Sequence, residues 1–240
     1  MTLRAIILAA GAGTRLKPLT NDKPKCLVSF GKGPIIDLQI AALRLVGVDD
    51  IVLVTGYESD QIRHHCHEMV KVVHFVDNVD FACTNSVYSL YLARHYLDRE
   101  TFLFNCDIVF HSAILERMLA SDFPNTIAVD SQIDRIAGEM NVKFFGDGTV
   151  SAIGKNLDPN DCQAQSVQLV KFDESGARSV SVEVERLVEK FRKDVFPTSA
   201  YSPIIRRSEF GAVECGDLPW AEIDSVSDYN FALKEVMPRL

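Results

Sequence analysis

Residues 5–25 read AIILAAGAGTRLKPLTNDKPK, and their types suit a phosphate chain. An apolar run ending at Leu8 feeds a loop of small residues, Ala9, Ala10, Gly11, Ala12 and Gly13, followed by Thr14. A glycine carries no Cβ, so backbone N–H groups there can approach an anion closely. Arg15 and Lys25 bring fixed positive charge to the same stretch. Exposed amides, small side chains and two cations together could cradle a triphosphate. The common phosphate loops do not fit. A dinucleotide fingerprint needs a third glycine where Leu16 stands, and the Gly31-Lys32 pair is followed by Gly33 rather than Ser or Thr.

Two acids could serve such a loop. Residues 102–107, FLFNCD, read as a buried strand ending in Asp107. A carboxylate at that end suits Mg²⁺, which takes few carboxylates plus phosphate oxygens and water. A helix N-cap is the structural alternative. The same choice arises for Asp224 in the segment 220–224, WAEID, which precedes a helical pattern. No Ser-His-Asp or Cys-His set stands out. The run His64-His65-Cys66-His67 puts only His64 and His67 on one helix face, so a solvated helix face is preferred to a metal site.

The elements that must position these residues alternate. Strands are expected over 5–8, 51–55, 70–76, 101–105 and 126–130, and helices over 36–46, 59–69, 86–96 and 113–120. The fold class is α/β: a Rossmann-like mixed, mostly parallel sheet with helices on both faces. Ligands of such sheets bind beyond the carboxyl ends of the strands. The second half reads differently. A hairpin over 141–145 and 149–153 turns at Gly146-Asp147-Gly148. A strand follows over 166–172, then helices over 179–191 and 229–236, with 193–203 irregular.

Composition sets limits. The chain has 240 residues, 47% of them hydrophobic, enough for one domain over 1–240 with a substantial core. A net charge of −8 argues against nucleic acid as a partner. No apolar run approaches a membrane span. Residues 1–12 look superficially like a leader, but cleavage would remove the glycine loop, and only Arg4 is a basic flank. Six scattered cysteines without C-x-x-C spacing read as reduced core thiols in the cytoplasm.

The whole pattern L-A-A-G-x-G-T-R-L, with P-K downstream, resembles the signature of nucleotidyltransferases that join an NTP to a phosphorylated acceptor and release pyrophosphate. The resemblance implies Mg²⁺ held by Asp107 and by Asp224 of a late E-I-D segment, with Arg15 and Lys25 as the catalytic cations. The segments Gly56-Tyr57 and T-N-S-x-Y-S-L, beginning at Thr84, Asn85 and Ser86, resemble one branch in particular. That branch holds phosphocholine cytidylyltransferases and relatives acting on phosphonates. The glutamine and proline-glycine turn usual in uridylyl and thymidylyl relatives is missing. The resemblance covers most of 1–130, returns at 220–235 and is thin over 155–215. It implies that 1–130 binds CTP. Residues 131–240 would supply the second metal ligand and the site for a small phosphate or phosphonate.

Residues 139–143 and Gly154-Lys155 resemble the family's E-x-M-K-V strand and G-K turn, which nominates Lys143 and Lys155 for the acceptor. Each could equally be an ordinary exposed lysine. Arg135 is a weaker candidate. Asp130, Asp134 and Tyr201 could contribute to an ammonium site, although no aromatic cage can be read off. Two rival readings stay open: a sugar-1-phosphate nucleotidyltransferase using UTP, dTTP or GTP, and a nucleotide-sensing subunit without transfer. The chain could act as a homodimer, which its sequence does not decide.

Overall fold

The computed structural model describes residues 3–69 and 73–240. The strands are β1 Arg4–Ala9, β2 Ser29–Phe30, β3 Gly33–Pro34, β4 Asp50–Thr55, β5 Val73–Asp77, β6 Thr101–Asn105, β7 Ile108–Phe110, β8 Asn125–Asp130, β9 Asn141–Phe144, β10 Val150–Gly154, β11 Ala164–Phe172, β12 Phe210–Glu214 and β13 Trp220–Glu222. The helices are α1 Ile35–Leu45, α2 Ser59–Met69, α3 Ser86–Leu92, α4 Ala113–Leu119, α5 Glu174–Glu189, α6 Ser202–Arg206 and α7 Val226–Phe231. The expected strand over 70–76 appears as β5, and its residues 70–72 lie outside the described residues.

A nine-stranded mixed sheet runs β10-β9-β11-β6-β1-β4-β5, with β8 beside β11 and β12 beside β8. Strands β5, β4, β1 and β6 are parallel, so their carboxyl ends line one edge. In register, Leu8 faces Asn105 and Ala9 faces Thr55, which places the glycine loop between the ends of β6 and β4. Strand β1 is buried at every position, as expected of a central parallel strand covered on both faces. One apolar cluster packs Ile7, Ile40, Leu43 and Phe104, and the other packs Ile6, Leu90, Phe172 and Val184.

Strand β11 joins the two halves. Its first residues lie between β9 and β8, and its last lie between β6 and β8. Between Ser166 and Val170 the register with β8 shifts, and Gln168 takes φ +62° there. Such a bulge bends a strand and re-aims a side chain.

Several elements differ from expectation. Helix α5 begins at Glu174 rather than near 179, because the Asp173 carboxylate caps it by accepting from the Gly176 N–H at 2.6 Å. Ser175 and Gly176 hid that first turn. Helix α7 starts at Val226 through a Ser225–Asp228 capping box and passes into a π-turn over Ala232–Val236. The irregular stretch after 193 contains a 3-10 turn, Pro197–Ala200, and then α6. Strands β7, β12 and β13 were not expected. On α2, His64 and His67 are exposed, as expected of a solvated face, while Cys66 is fully buried and His65 bonds Asp37 at 2.6 Å on other faces of the helix. Cys83 is exposed, unlike the other five cysteines, which are buried.

Candidate active site

A cavity of about 350 Å³ opens at the carboxyl ends of β1 and β6. One wall is the loop after β1. Gly13 sits there at φ +60°, and a Cβ on it would lie 3.0 Å from the Lys25 Cβ. The Thr20 hydroxyl donates to the Gly13 carbonyl at 2.8 Å and fixes the loop against the Lys25 stem. Gly11 has nothing within 4 Å of where its Cβ would stand, so its backbone faces open space.

The acids arrive by a small ladder. Asp107 occupies the turn between β6 and β7, where the Cys106 N–H donates to the Leu8 carbonyl at 3.0 Å. Strand β13 pairs antiparallel with β7, Glu222 opposite Ile108, and the Ile223 N–H donates to the Asp107 carbonyl at 2.9 Å. Glu222 and Asp224 are therefore delivered to Asp107. Carboxylate oxygens of the three lie within 4.8 Å of one another. Neither aspartate serves as a helix cap: Ser112 precedes α4 and Ser225 caps α7.

Lys25 bridges two of these acids. Its ammonium donates to Asp107 Oδ2 at 2.9 Å and to Asp224 Oδ1 at 2.6 Å. Arg15, largely exposed, reaches Asp224 Oδ2 at 2.8 Å. Burial pulls the Lys25 pKa down, but Asp107 and Asp224 outweigh it and hold Lys25 firmly charged. Burial likewise pushes Asp224 up, and the Lys25 and Arg15 cations overcome it, so its carboxyl sits below the usual range. Glu222 goes the other way. Burial, then the charges of Asp107 and Asp224, push it up to about 7. The Gln168 side-chain amide donates to Glu222 and partly opposes that shift.

The three carboxylates suit a divalent cation. Asp107 Oδ1 is buried and has no hydrogen-bond partner. An acceptor oxygen without a donor is costly to bury, and a cation would satisfy it. A cluster of carboxylates with room for phosphate oxygens and water is the set that Mg²⁺ takes.

Thirteen of the expected site residues line the cavity: Leu8, Ala10, Gly11, Gly13, Thr14, Arg15, Lys25, Thr84, Asn85, Ser86, Asp107, Lys155 and Asp224. Ala9, Ala12, Gly56, Tyr57 and Lys143 do not. Ala9 is buried in the ladder opposite Thr55. Gly56 supports the loop from behind, since a Cβ on it would come 2.7 Å from the Ala10 carbonyl. The Tyr57 N–H donates to that carbonyl, and its ring packs edge-on against Phe81, itself a lining residue. Lys143 pairs with Asp161 at 3.6 Å, away from the cavity. Asn85 caps α3, its Oδ1 accepting from the Ser86 N–H, while its amide donates to the Asp194 carbonyl at 3.2 Å. The Thr84 hydroxyl donates to the Asp80 carbonyl and accepts from Asn78. Arg135, on an exposed loop, bonds backbone carbonyls of Ser131 and Ile133, and the Asp130 carboxylate accepts from the Trp220 indole.

Phe81, Ser89, Asn105, Cys106, Gln168, Phe196 and Glu222 also line the cavity without having been singled out. Glu222 had a signal: residues two apart on an extended chain share a face, and Asp224 was already a candidate. Gln168 had none, since a bulge leaves no periodic trace.

A glycine loop at the head of a parallel sheet faces clustered acids and two cations, an arrangement that suits a phosphate chain and a divalent cation. The chain belongs to the Nucleotidyl transferase family, whose profile matches residues 4–137, and is a nucleotidyltransferase. It is 28% identical to the CTP:phosphoglutamine cytidylyltransferase of Campylobacter jejuni over 97% of this chain and 100% of that one. It is 39% identical to the 2-aminoethylphosphonate cytidylyltransferase of Lancefieldella rimae over 44% of this chain and 43% of that one. Among solved structures, the CTP:phosphocholine cytidylyltransferase of Streptococcus pneumoniae superposes with a TM-score of 0.81 at 25% identity, covering 98% of this chain and 99% of that one. Among the described residues, no helix is long and apolar enough to cross a membrane.

Proposed function

We propose that this enzyme transfers CMP from CTP to a small phosphate or phosphonate, releasing pyrophosphate. The single observation that carries the metal-dependent triphosphate chemistry is the cluster of Asp107, Glu222 and Asp224, with the orphaned Asp107 Oδ1, beside the glycine loop. The cytidylyl relatives support the choice of nucleotide and acceptor class. Asp107 and Asp224, with Glu222 beside them, would hold Mg²⁺, which when bound supplies charge for the triphosphate oxygens.

The chain's own residues do the rest. The loop amides around Gly11 and Gly13 bind the phosphate chain. Arg15 and Lys25 carry fixed positive charge that gains value as charge builds on the α-phosphate and the leaving pyrophosphate. Lys155, the lysine at the opposite wall, neutralises the acceptor's anionic group. That group is already ionised at neutral pH, so its oxygen can attack the α-phosphorus without a general base. The bond to pyrophosphate breaks as the new P–O bond forms. Alignment and charge are what remain to be provided.

Base choice rests on unpaired groups. Cytosine offers an amino donor where uracil offers a carbonyl. A pocket that presents acceptors there leaves them unpaired against uracil, at roughly 1–3 kcal/mol each. The Ser86 and Ser89 hydroxyls and the loop around Ala10 line the cavity and are available for that contact. The test is kcat/KM for CTP against UTP, dTTP, GTP and ATP. CTP is expected to lead UTP by at least about tenfold. Equal use of the two would remove cytidylyl specificity and favour a sugar-nucleotide activity.

A further inference from the structure

Beside the main cavity lies a smaller recess of about 40 Å³. The two share Leu8, Ser86, Asn105, Gln168 and Phe196, so the recess opens off the floor of the site. Lys155 stands on the main-cavity side, its Nζ 5.3 Å from the centroid of the Phe196 ring. The inner wall is apolar, made by Leu103, Ile127, Met140 and Val170. Among the described residues no charged side chain lines it.

Four hydroxyl residues line it: Ser86, whose hydroxyl donates to Asn85 Oδ1, and Ser166, Thr198 and Tyr201. Tyr201 is only 3% exposed, and its ring is held edge-on by Phe172 and Phe210, at 5.3 and 5.8 Å. Its hydroxyl has no hydrogen-bond partner among the described residues, and neither has that of Thr198. Ser166 Oγ accepts from the Gln168 N–H, which leaves its own proton to donate. The phenol borders the recess, where a bound polar group would take the place of water as its partner. Burial raises the Tyr201 pKa, so it stays a neutral donor.

Resting on the cytidylyl-transfer reading above, we propose that this recess takes the organic end of the acceptor, and that this end is short, uncharged and hydroxyl-bearing. Size sets the length. One water-sized atom needs roughly 10–15 Å³ of such volume, so the recess holds about three. A trimethylammonium group is bulkier than that. Charge sets the chemistry. An ammonium buried without a counter-charge costs several kcal/mol, and the recess offers none. Phe196 presents a π surface, but the Lys155 ammonium already occupies it and would repel a second cation. The anionic head thus stays with Lys155, and a neutral alcohol reaches Tyr201.

Three acceptors of matched length separate the alternatives: 2-hydroxyethylphosphonate, 2-aminoethylphosphonate and propylphosphonate, each with CTP. We expect kcat/KM for the hydroxyl compound to exceed that for the amine by at least about tenfold. Tyr201→Phe keeps the ring and should leave the melting temperature and the CTP KM unchanged. It should lower kcat/KM for the hydroxyl compound about 3–30-fold and leave propylphosphonate unaffected. Equal or better use of the amine overturns the proposal, as does a Tyr201→Phe variant that treats the alcohol like the wild type. Failure to use any of the three while CTP still binds in calorimetry overturns it too, but leaves the nucleotide reading standing. Loss of CTP binding would remove both.

Discussion

Glu222 and Asp224 stand two residues apart and are driven in opposite directions. Asp224 meets two cations, whereas Glu222 meets burial and two like charges. Glu222 therefore keeps its proton up to about pH 7 in the folded protein, against a usual value of 4.5. Between those pH values the native state binds more protons than the unfolded chain. Stability must then fall as pH rises through that window and level off above it. Glu222→Gln removes the penalty. Without divalent cations at pH 8, this variant should be more stable than the wild type by on the order of 2 kcal/mol, and the two should converge at pH 4.5. Melting curves at both pH values, with chelator present, check this. Unchanged stability at pH 8 would mean that the carboxylate is better solvated than the structure shows. The same variant should bind Mg²⁺ more weakly, because the cation compensates the charge that Gln removes.

At the scale of elements, the loop after β1 makes two of its glycines distinguishable. Gly13 needs a left-handed backbone and has Lys25 Cβ 3.0 Å from where its own Cβ would be. Gly13→Ala should cost about 1–2 kcal/mol in stability and displace Lys25, with a fall in kcat. Gly11 has room and an unstrained φ, so Gly11→Ala should leave the melting temperature unchanged. Its methyl would instead enter the space through which the backbone meets phosphate. The CTP KM should then rise by roughly tenfold, about 1.4 kcal/mol. Kinetics and melting curves of the pair test this together. Similar behaviour of both variants would show that the loop acts through sterics alone. The β7–β13 ladder is the other element the site depends on. It consists of three residue pairs, yet it carries Glu222 and Asp224 to Asp107 from more than a hundred residues further along the chain.

At the scale of the molecule, local signals were legible and long-range ones were not. The buried run of β1, the glycine loop and the Asp107 strand are contiguous in sequence, and each takes its expected place at the sheet edge. The hairpin at Gly146-Asp147-Gly148 was readable because its turn is local. Strands β12 and β13 were not, since β12 gains its partner β8 only through a parallel crossover and β13 has just three residues. The Gln168 bulge depends on two neighbouring strands at once, so no single window of sequence could show it. The lysine pair separated for a related reason. Lys143 lies on β9 and finds Asp161, whereas Lys155 follows the end of β10 and reaches the cavity beside Phe196.

Cation-dependent CMP transfer at the Asp107 cluster is the proposal on which the site's reading turns. It is tested most directly by following pyrophosphate and the condensed product together, by enzymatic assay and mass spectrometry, with CTP and a mixture of phosphonates, phosphocholine and sugar phosphates. One pyrophosphate is expected for each CMP-bearing product with Mg²⁺ present. Chelation, or Asp107→Asn in a variant that melts like the wild type, should lower the rate at least about a hundredfold, equivalent to some 2.7 kcal/mol of barrier. Product formed at an undiminished rate in chelator or by Asp107→Asn would contradict it.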